Sequence, residues 1–366
     1  MLRWAGLACI RQRSEVRGRR SADSEAELRA SPSSIRYPRN RGGLTATILL
    51  KGLLAAAAIG AAHEPARAAD KIRISVTNFN MAFLPAGLAV KRGFFKEEGL
   101  EAEVIRMNAN VAVTALASAD VDYTLIFGSV VRAAIRGLPV KVVASFIDGS
   151  THALVARAEF KSVRELKGKT LGIQAHGASD HVAAMMIFRH FGIDPEREIK
   201  AVALGSASGR LAALREGVID VAVISPPADE EGRKLGFNIV ARAYELFTFP
   251  FVGLGTHTRK IKEKPDEVKR TLKALIKANR FIRQNREGTI QTLAEWGRTT
   301  PELAAAAYDS SWKVFNLDGS IPEEGMRSVI DQAVKEAKVT REVLASEVSD
   351  LAPLRDAQKE LGIKGR

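Results

Sequence analysis

The sequence predicts an α/β protein of two lobes, each a mainly parallel sheet flanked by helices, with a helical C-terminal tail on the first lobe. Three observations carry this. First, Ala115-Leu116-Ala117-Ser118-Ala119-Asp120-Val121-Asp122 has a fainter copy 98 residues later, Ala213-Leu214-Arg215-Glu216-Gly217-Val218-Ile219-Asp220, and each copy feeds an apolar run (123–127 and 221–224). Second, β-branched runs alternate with helix-patterned segments from 72 to 255, the signature of a parallel sheet covered on both faces. Third, from Pro265 onward the pattern is helical only. A helix that ends at a small residue and enters a buried strand through an Asp is one α/β unit. Two such units make two lobes, and two lobes leave a cleft.

Taken in order, 72–77 alternates and is β-branched, a strand, and Asn78-Phe79-Asn80 is the loop after it. Pro85 suits a helix first turn, where its missing N–H costs nothing. That helix is expected to reach Glu98 and stop at Gly99, which accepts the left-handed cap. Strands follow at 101–106, 123–127 and 140–146, with helices over 111–117 and from Gly128-Ser129 to near Gly137. Asp148-Gly149-Ser150-Thr151 reads as the crossing into a second lobe. There, 152–156, 170–173, 199–203, 219–224 and 237–241 are strands, with helices from His176-Gly177-Ala178-Ser179 to Phe191 and over 209–216. The apolar run 249–255 carries the chain back to the first lobe, and a long amphipathic helix spans 265–286. The expected division is therefore a leader (1–69), lobe 1 (70–149 and 247–366) and lobe 2 (150–246).

The formal net charge of +13 resembles a nucleic-acid signal until it is located. Residues 1–69 hold twelve Lys/Arg against five Asp/Glu, so the body carries 43 basic and 37 acidic residues, only +6. No basic run in the body is interleaved with aromatics, and nucleic acid is not an expected partner. The sole cysteine is Cys9. A body without cysteine excludes disulfides, thiol catalysis and Cys-ligated metal there.

Residues 1–43 are Arg/Ser-rich and aperiodic, and read as disorder or as sequence upstream of the true start. Lys51 and the apolar run 52–62 then precede Ala66-Arg67-Ala68, a small-x-small site, which together read as a secretory signal peptide cleaved near Ala68. The run is well short of the roughly 20 residues a membrane span needs. An alanine-rich amphipathic helix or an organelle transit peptide is the alternative.

Catalytic constellations are thin. The body's histidines are His152, His176, His181, His190 and His257, and none is paired at the i, i+4 spacing of a helical zinc site. No H-E-x-x-H, P-loop or G-x-S-x-G motif occurs. The better candidates are helix starts after strands: Gly128-Ser129, His176-Gly177-Ala178-Ser179 and Gly205-Ser206-Ala207-Ser208. Each offers backbone N–H groups, a hydroxyl and a positive helix end, which suit small anions. Such loops lie beyond the carboxyl ends of strands, where open α/β sheets bind ligands. The alternative is that Ser129, Ser179 and Ser208 cap their own helices, each worth about 1 kcal/mol. Asn78, Phe79 and Asn80 suit a polar ligand with a flat face or are turn residues. Ser225-Pro226-Pro227 ends a strand, and of Phe247, Phe249 and Phe251 it is Phe249 that can reach a cleft.

Several of these runs resemble a known family. Gly93-Phe94-Phe95-Lys96-Glu97-Glu98-Gly99-Leu100, Ala115-Leu116 with Asp122, and Gly137-Leu138-Pro139-Val140-Lys141-Val142-Val143-Ala144 are similar to the solute-binding proteins of nitrate/sulfonate/taurine-type ABC importers, relatives of the thiamine-pyrimidine precursor synthases. Leu166-Lys167-Gly168-Lys169-Thr170-Leu171-Gly172 and Phe191-Gly192-Ile193-Asp194-Pro195 continue the likeness, which covers about 72–255. The resemblance implies a two-lobed type II periplasmic-binding-protein fold that closes on a small anionic or aromatic/heterocyclic solute. It further implies a monomer in the periplasm that hands the solute to an ABC permease in the inner membrane, without a cofactor or turnover. By motif position, the implied ligand contacts are Asn78, Phe79, Gly128, Ser129, Asp148 to Ser150, His176, Gly177, Ser179, Ser225 and Phe249, with hinges near Asp148 and Phe247.

The departures are informative. The synthases' cysteine-rich motif has no counterpart, and no arginine set of the nitrate or sulfonate kind stands out. An aromatic or heterocyclic carboxylate, or a pyrimidine-like amide, fits Asn78, Phe79 and the serine-bearing helix starts. The alternative function is an enzyme on the same scaffold, with His176 or His181 as acid/base.

Overall fold

The structure is a computed structural model that describes residues 68–363, so all but the last two residues of the predicted leader (1–69) lie outside the described residues. Among the described residues ten strands form two sheets. The first contains β1 (Asp70–Val76), β2 (Leu100–Arg106), β3 (Tyr123–Ile126), β4 (Val140–Ile147) and β10 (Val252–His257). The second contains β5 (Ala153–Ala156), β6 (Thr170–Ile173), β7 (Lys200–Ala203), β8 (Val221–Ile224) and β9 (Asn238–Arg242). Their orders are β2-β1-β3-β10-β4 and β7-β6-β8-β5-β9.

The two orders are the same pattern. In each, three strands run parallel, as β1 does with β2 and β3, and β6 with β7 and β8. The fourth, β10 or β5, is antiparallel to both neighbours. That fourth strand is the one reached by crossing from the other sheet. Each sheet has its own apolar core.

The sequence repeat has a structural cause. Helix α3 (Ala109–Ala117) and its counterpart in lobe 2 (Ala207–Arg215) end in the same cap. Ala119 and Gly217 take φ of 63° and 71°, the left-handed region. Their N–H groups donate to Leu116 O and Leu214 O, both at 3.1 Å. The following Asp then closes the sheet end. The Asp122 carboxylate accepts from Arg73 N at 2.7 Å, and the Asp220 carboxylate from Thr170 N at 2.9 Å. Their own N–H groups return to Arg73 O (3.0 Å) and Thr170 O (2.9 Å). In each lobe this side chain thus satisfies the donor one residue before the ladder to β3 or β8 begins.

Boundaries differ from expectation in instructive places. The helix expected over 85–98 is two, α1 (Leu84–Lys91) and α2 (Phe94–Glu97), because Gly93 takes φ of 81° and turns the chain between them. Phe127 does not end a strand; it starts α4 (Phe127–Ile135). The return strand begins at Val252, which leaves Phe249 and Phe251 in the crossing itself.

Two glycines of β10 decide where α4 lies. A Cβ on Gly253 would collide with the Ala144 carbonyl and come within 2.6 Å of the Phe127 ring, and one on Gly255 would meet Val130 Cγ2 at 2.6 Å. The sheet therefore accepts α4 flat against β10 only with bare backbone there. The tail packs on this lobe as expected: α5 (Pro265–Gln284) and α6 (Glu323–Ala337) contribute Leu272, Leu275, Ile276, Val329 and Ile330 to its core. Asn279 Nδ2 donates to Phe146 O at 2.6 Å and to Asn316 O at 2.8 Å.

Gly253→Ala should destabilise the protein by about 1–3 kcal/mol, the usual cost of overpacking. Urea unfolding with an unchanged midpoint would contradict the close-packing account.

Candidate ligand cleft

The crossings run side by side. Phe249 N–H donates to Asp148 O (3.0 Å) and Phe251 N–H to Ile147 O (2.8 Å), so the outgoing and returning chains are hydrogen-bonded to each other. In front of them is a small cavity of about 40 Å³. Its walls come from both lobes and the tail: Gly128, Ser129 and Arg132 of α4, Ser179 and Val182 of lobe 2, Phe249 and Phe251, and Val329 and Gln332 of α6. Four of the sequence candidates (Gly128, Ser129, Ser179 and Phe249) therefore meet in one place.

Neither serine in the cavity is a helix cap. Ser129 is the third residue of α4, whose N-cap position is Ile126. Ser179 opens the helix Ser179–His190 behind Ala178, which makes no side-chain cap bond. In the third loop it is Ser206, not Ser208, that caps, accepting from Gly209 N at 3.1 Å. That loop is exposed and lines no part of this cavity.

Arg132 is the residue the sequence reading missed. Its Nη2 donates to Ser129 Oγ at 2.8 Å and, across the cleft, to Gly177 O at 3.0 Å. The Glu336 carboxylate on α6 stands 3.7 Å from its Nε. Burial lowers the guanidinium's proton affinity, and Glu336 opposes that shift. A signal was present: one arginine in the otherwise apolar run Val130 to Ile135, three residues after Ser129, the spacing that puts both on one helix face.

The other candidates are placed as follows. Gly177 has φ of 73° and donates its N–H to His181 Nδ1 at 3.0 Å, so it joins the cleft through its backbone. His176 is exposed, with its ring 5.4 Å from that of His181 at 86°. Burial first, and His176 second, lower the His181 pKa. Phe79 is 37% exposed and meets Trp296 edge-on at 4.5 Å, while Asn78 is half-buried in the same loop. The next residues tie that loop to lobe 2, with Met81 N–H donating to Pro226 O at 3.3 Å beside the buried Ser225.

Asp148 and Ser150 line no part of this cavity. Asp148 lines a separate cavity of about 580 Å³ behind the crossings, and its Oδ1 accepts from Ser145 Oγ (2.9 Å) and Asn316 Nδ2 (3.2 Å). Ser150 Oγ pairs with His152 Nδ1 at 2.9 Å, and the His152 ring meets Phe251 edge-on at 5.1 Å. Burial, with Arg210 adding to it, pushes the His152 pKa down to about 3. This imidazole is neutral and pins the crossing. Among the described residues no group of three or more His, Cys, Asp or Glu is placed to hold a metal ion.

This geometry, two like lobes with a cleft against paired crossings, is that of the periplasmic-binding-protein fold. The sequence pattern of the NMT1/THI5 like family matches residues 80–288, and the chain belongs to that family. It is 23% identical over 220 residues to YtlA of Bacillus subtilis, named as a candidate binding protein; the match spans 58% of this chain and 66% of that protein's length. The alkanesulfonate-binding protein SsuA of Xanthomonas axonopodis pv. citri, solved with MOPS, superposes with a TM-score of 0.66 at 17% identity, covering 80% of this chain and all of that one. The desulfurization enzyme DszB shares the fold at a TM-score of 0.58 and 13% identity, over 80% of this chain and 99% of its own. No helix among the described residues is long and apolar enough to cross a membrane.

The buried His152 has a pH consequence. Its folded pKa lies below the ordinary 6.5 at about 3, so stability is full above pH 6.5 and declines as pH falls through that window. The gap in unfolding free energy between wild type and His152→Gln should therefore shift against wild type by about 3 kcal/mol between pH 7 and pH 4. Paired urea titrations at the two pH values test this, and a constant gap would show that the imidazole takes up its proton as readily in the folded protein as in the unfolded chain.

Proposed function

We propose that the protein is an exported substrate-binding protein that captures a small solute between its lobes and delivers it to the permease of an ABC importer. The observation that supports this most is the meeting of Gly128 and Ser129 of one lobe, Ser179 of the other and Phe249 of the crossing around one cavity. Such a site is complete only when the lobes approach, so ligand capture and closure are one event. On this reading the division is lobe 1 at 70–149 and 247–366 and lobe 2 at 150–246, with a leader cleaved near Ala68 and a monomer in the periplasm. On the same reading Asn78, Phe79 and Ser225, which line no part of the small cavity, would reach the solute from the loops that join the lobes at Met81 and Pro226, while Asp148 and Ser150 belong to the hinge.

A second reading, an enzyme on this scaffold, draws on His181, whose Nδ1 accepts the Gly177 N–H beside His176. Neither histidine lines the small cavity. The binding reading is therefore preferred.

A metabolite library screened by thermal shift tests both. A true ligand at a hundred times its Kd adds about 2.7 kcal/mol of stability, and mass spectrometry should recover it unchanged. A library without any stabilising compound would remove the binding reading, and a chemically altered compound would establish the enzyme.

A further inference from the structure

We propose that the two lobes rest closed on contacts of the chain itself, with Arg132 as the latch, so that the cleft admits a solute only after the latch opens. The cavity between the lobes is about 40 Å³. That is room for about one to three waters, whereas pockets that take a small molecule hold roughly 300–1,000 Å³. Three contacts shut it to this size. Arg132 Nη2 donates across the cleft to Gly177 O at 3.0 Å. Met81 N–H donates to Pro226 O at 3.3 Å. On the lobe 2 helix Ser179–His190, Val182 lines the cavity together with Val329 and Ala333 of α6, and Met186 packs against the lobe 1 core. Four residues apart, Val182 and Met186 share one helix face, so an apolar seam backs the polar latch.

Both halves of the latch are held in place by their own lobe. On lobe 1, Ser129 Oγ accepts from the same Nη2 at 2.8 Å, and the Glu336 carboxylate stands 3.7 Å from Arg132 Nε. On lobe 2, Gly177 takes φ of 73°, a conformation that favours glycine, and its N–H is fixed on His181 Nδ1 at 3.0 Å. Its carbonyl is thereby presented to the guanidinium. A bond from a charged donor is among the stronger hydrogen bonds, and its loss moves an equilibrium by roughly tenfold or more. Closure over a solute is a different and wider conformation, since the latched one has no room for it. The consequence for capture rests on the reading of the cleft as a solute site: a solute meets only the open minority, and its apparent affinity falls by the open fraction.

The experiment measures the distance between the lobes by double electron–electron resonance, with no compound added. Cys9 is the only cysteine of the chain, so the full chain with Cys9→Ser takes spin labels cleanly at Val111→Cys and Val218→Cys. These two positions, one in each lobe, are 57% and 65% exposed. The labelled protein should give one narrow peak at the separation of the latched structure. Arg132→Gln should add a second, displaced peak, with the closed-to-open ratio lowered by about tenfold. Met186→Ser loosens the seam while leaving every Arg132 contact in place; it should displace the peak in the same way, and it decides the matter should the glutamine variant not fold. A broad or displaced distribution without either substitution would overturn the latch. So would a peak left unmoved by each variant that folds. Both outcomes would leave the cleft a solute site, because that reading stands or falls on the metabolite library and not on the distance between the lobes at rest.

Discussion

The fold depends on the chain crossing between its lobes twice, with the two crossings hydrogen-bonded to each other. Ile147 and Asp148 leave lobe 1 beside the returning Phe249 and Phe251, and the Phe249 and Phe251 N–H groups close on the Asp148 and Ile147 carbonyls. Each sheet takes its fourth strand from a crossing, β5 in one lobe and β10 in the other. Neither sheet is complete without chain that has visited the other lobe. This ribbon ties the lobes at one edge of the cleft, and across it Arg132 of α4 meets the loop before Ser179.

Packing behind the site fixes its parts. On the lobe 1 side, Gly253 and Gly255 let α4 lie against β10, which sets the positions of Ser129 and Arg132. On the lobe 2 side, Asp180 and Arg210 form a buried ion pair at 2.9 Å, and Asp180 also accepts from Gln174 N at 2.6 Å. That pair anchors the start of the helix whose first residue is Ser179. A buried pair of this kind adds little net stability, because desolvation offsets the attraction, but losing one partner is costly. Its effect here is placement. The tail adds a third wall, since α6 brings Val329 and Gln332 into the cavity and Glu336 beside Arg132.

Much of this was legible in the sequence, for identifiable reasons. The Ala-Leu…Asp repeat pointed to like lobes because a left-handed cap followed by a strand-closing Asp needs a small residue and a carboxylate at fixed spacing, whatever the surroundings. Gly128, Ser129 and Ser179 could be nominated because loops after parallel strands converge in such folds, and Phe249 because it sits at the return crossing. Asp148 and Ser150 were nominated at the outgoing crossing and by motif position in the family resemblance, yet their partners are Asn316 and His152, one of them far along the chain. Arg132 was overlooked because a helical arginine is usually solvated, and only the opposing lobe makes this one a cleft residue.

The sequence by itself determined the local units: strands, helices, caps, the repeat and the return to lobe 1, all governed by periodicity and backbone chemistry within short windows. The tertiary structure alone decided which candidates share a cavity, that the tail walls it, and that one guanidinium spans it. Those outcomes depend on contacts such as Arg132 with Gly177 and Arg132 with Glu336. Those partners lie far apart along the chain, so only the spacing of Ser129 and Arg132 was visible locally.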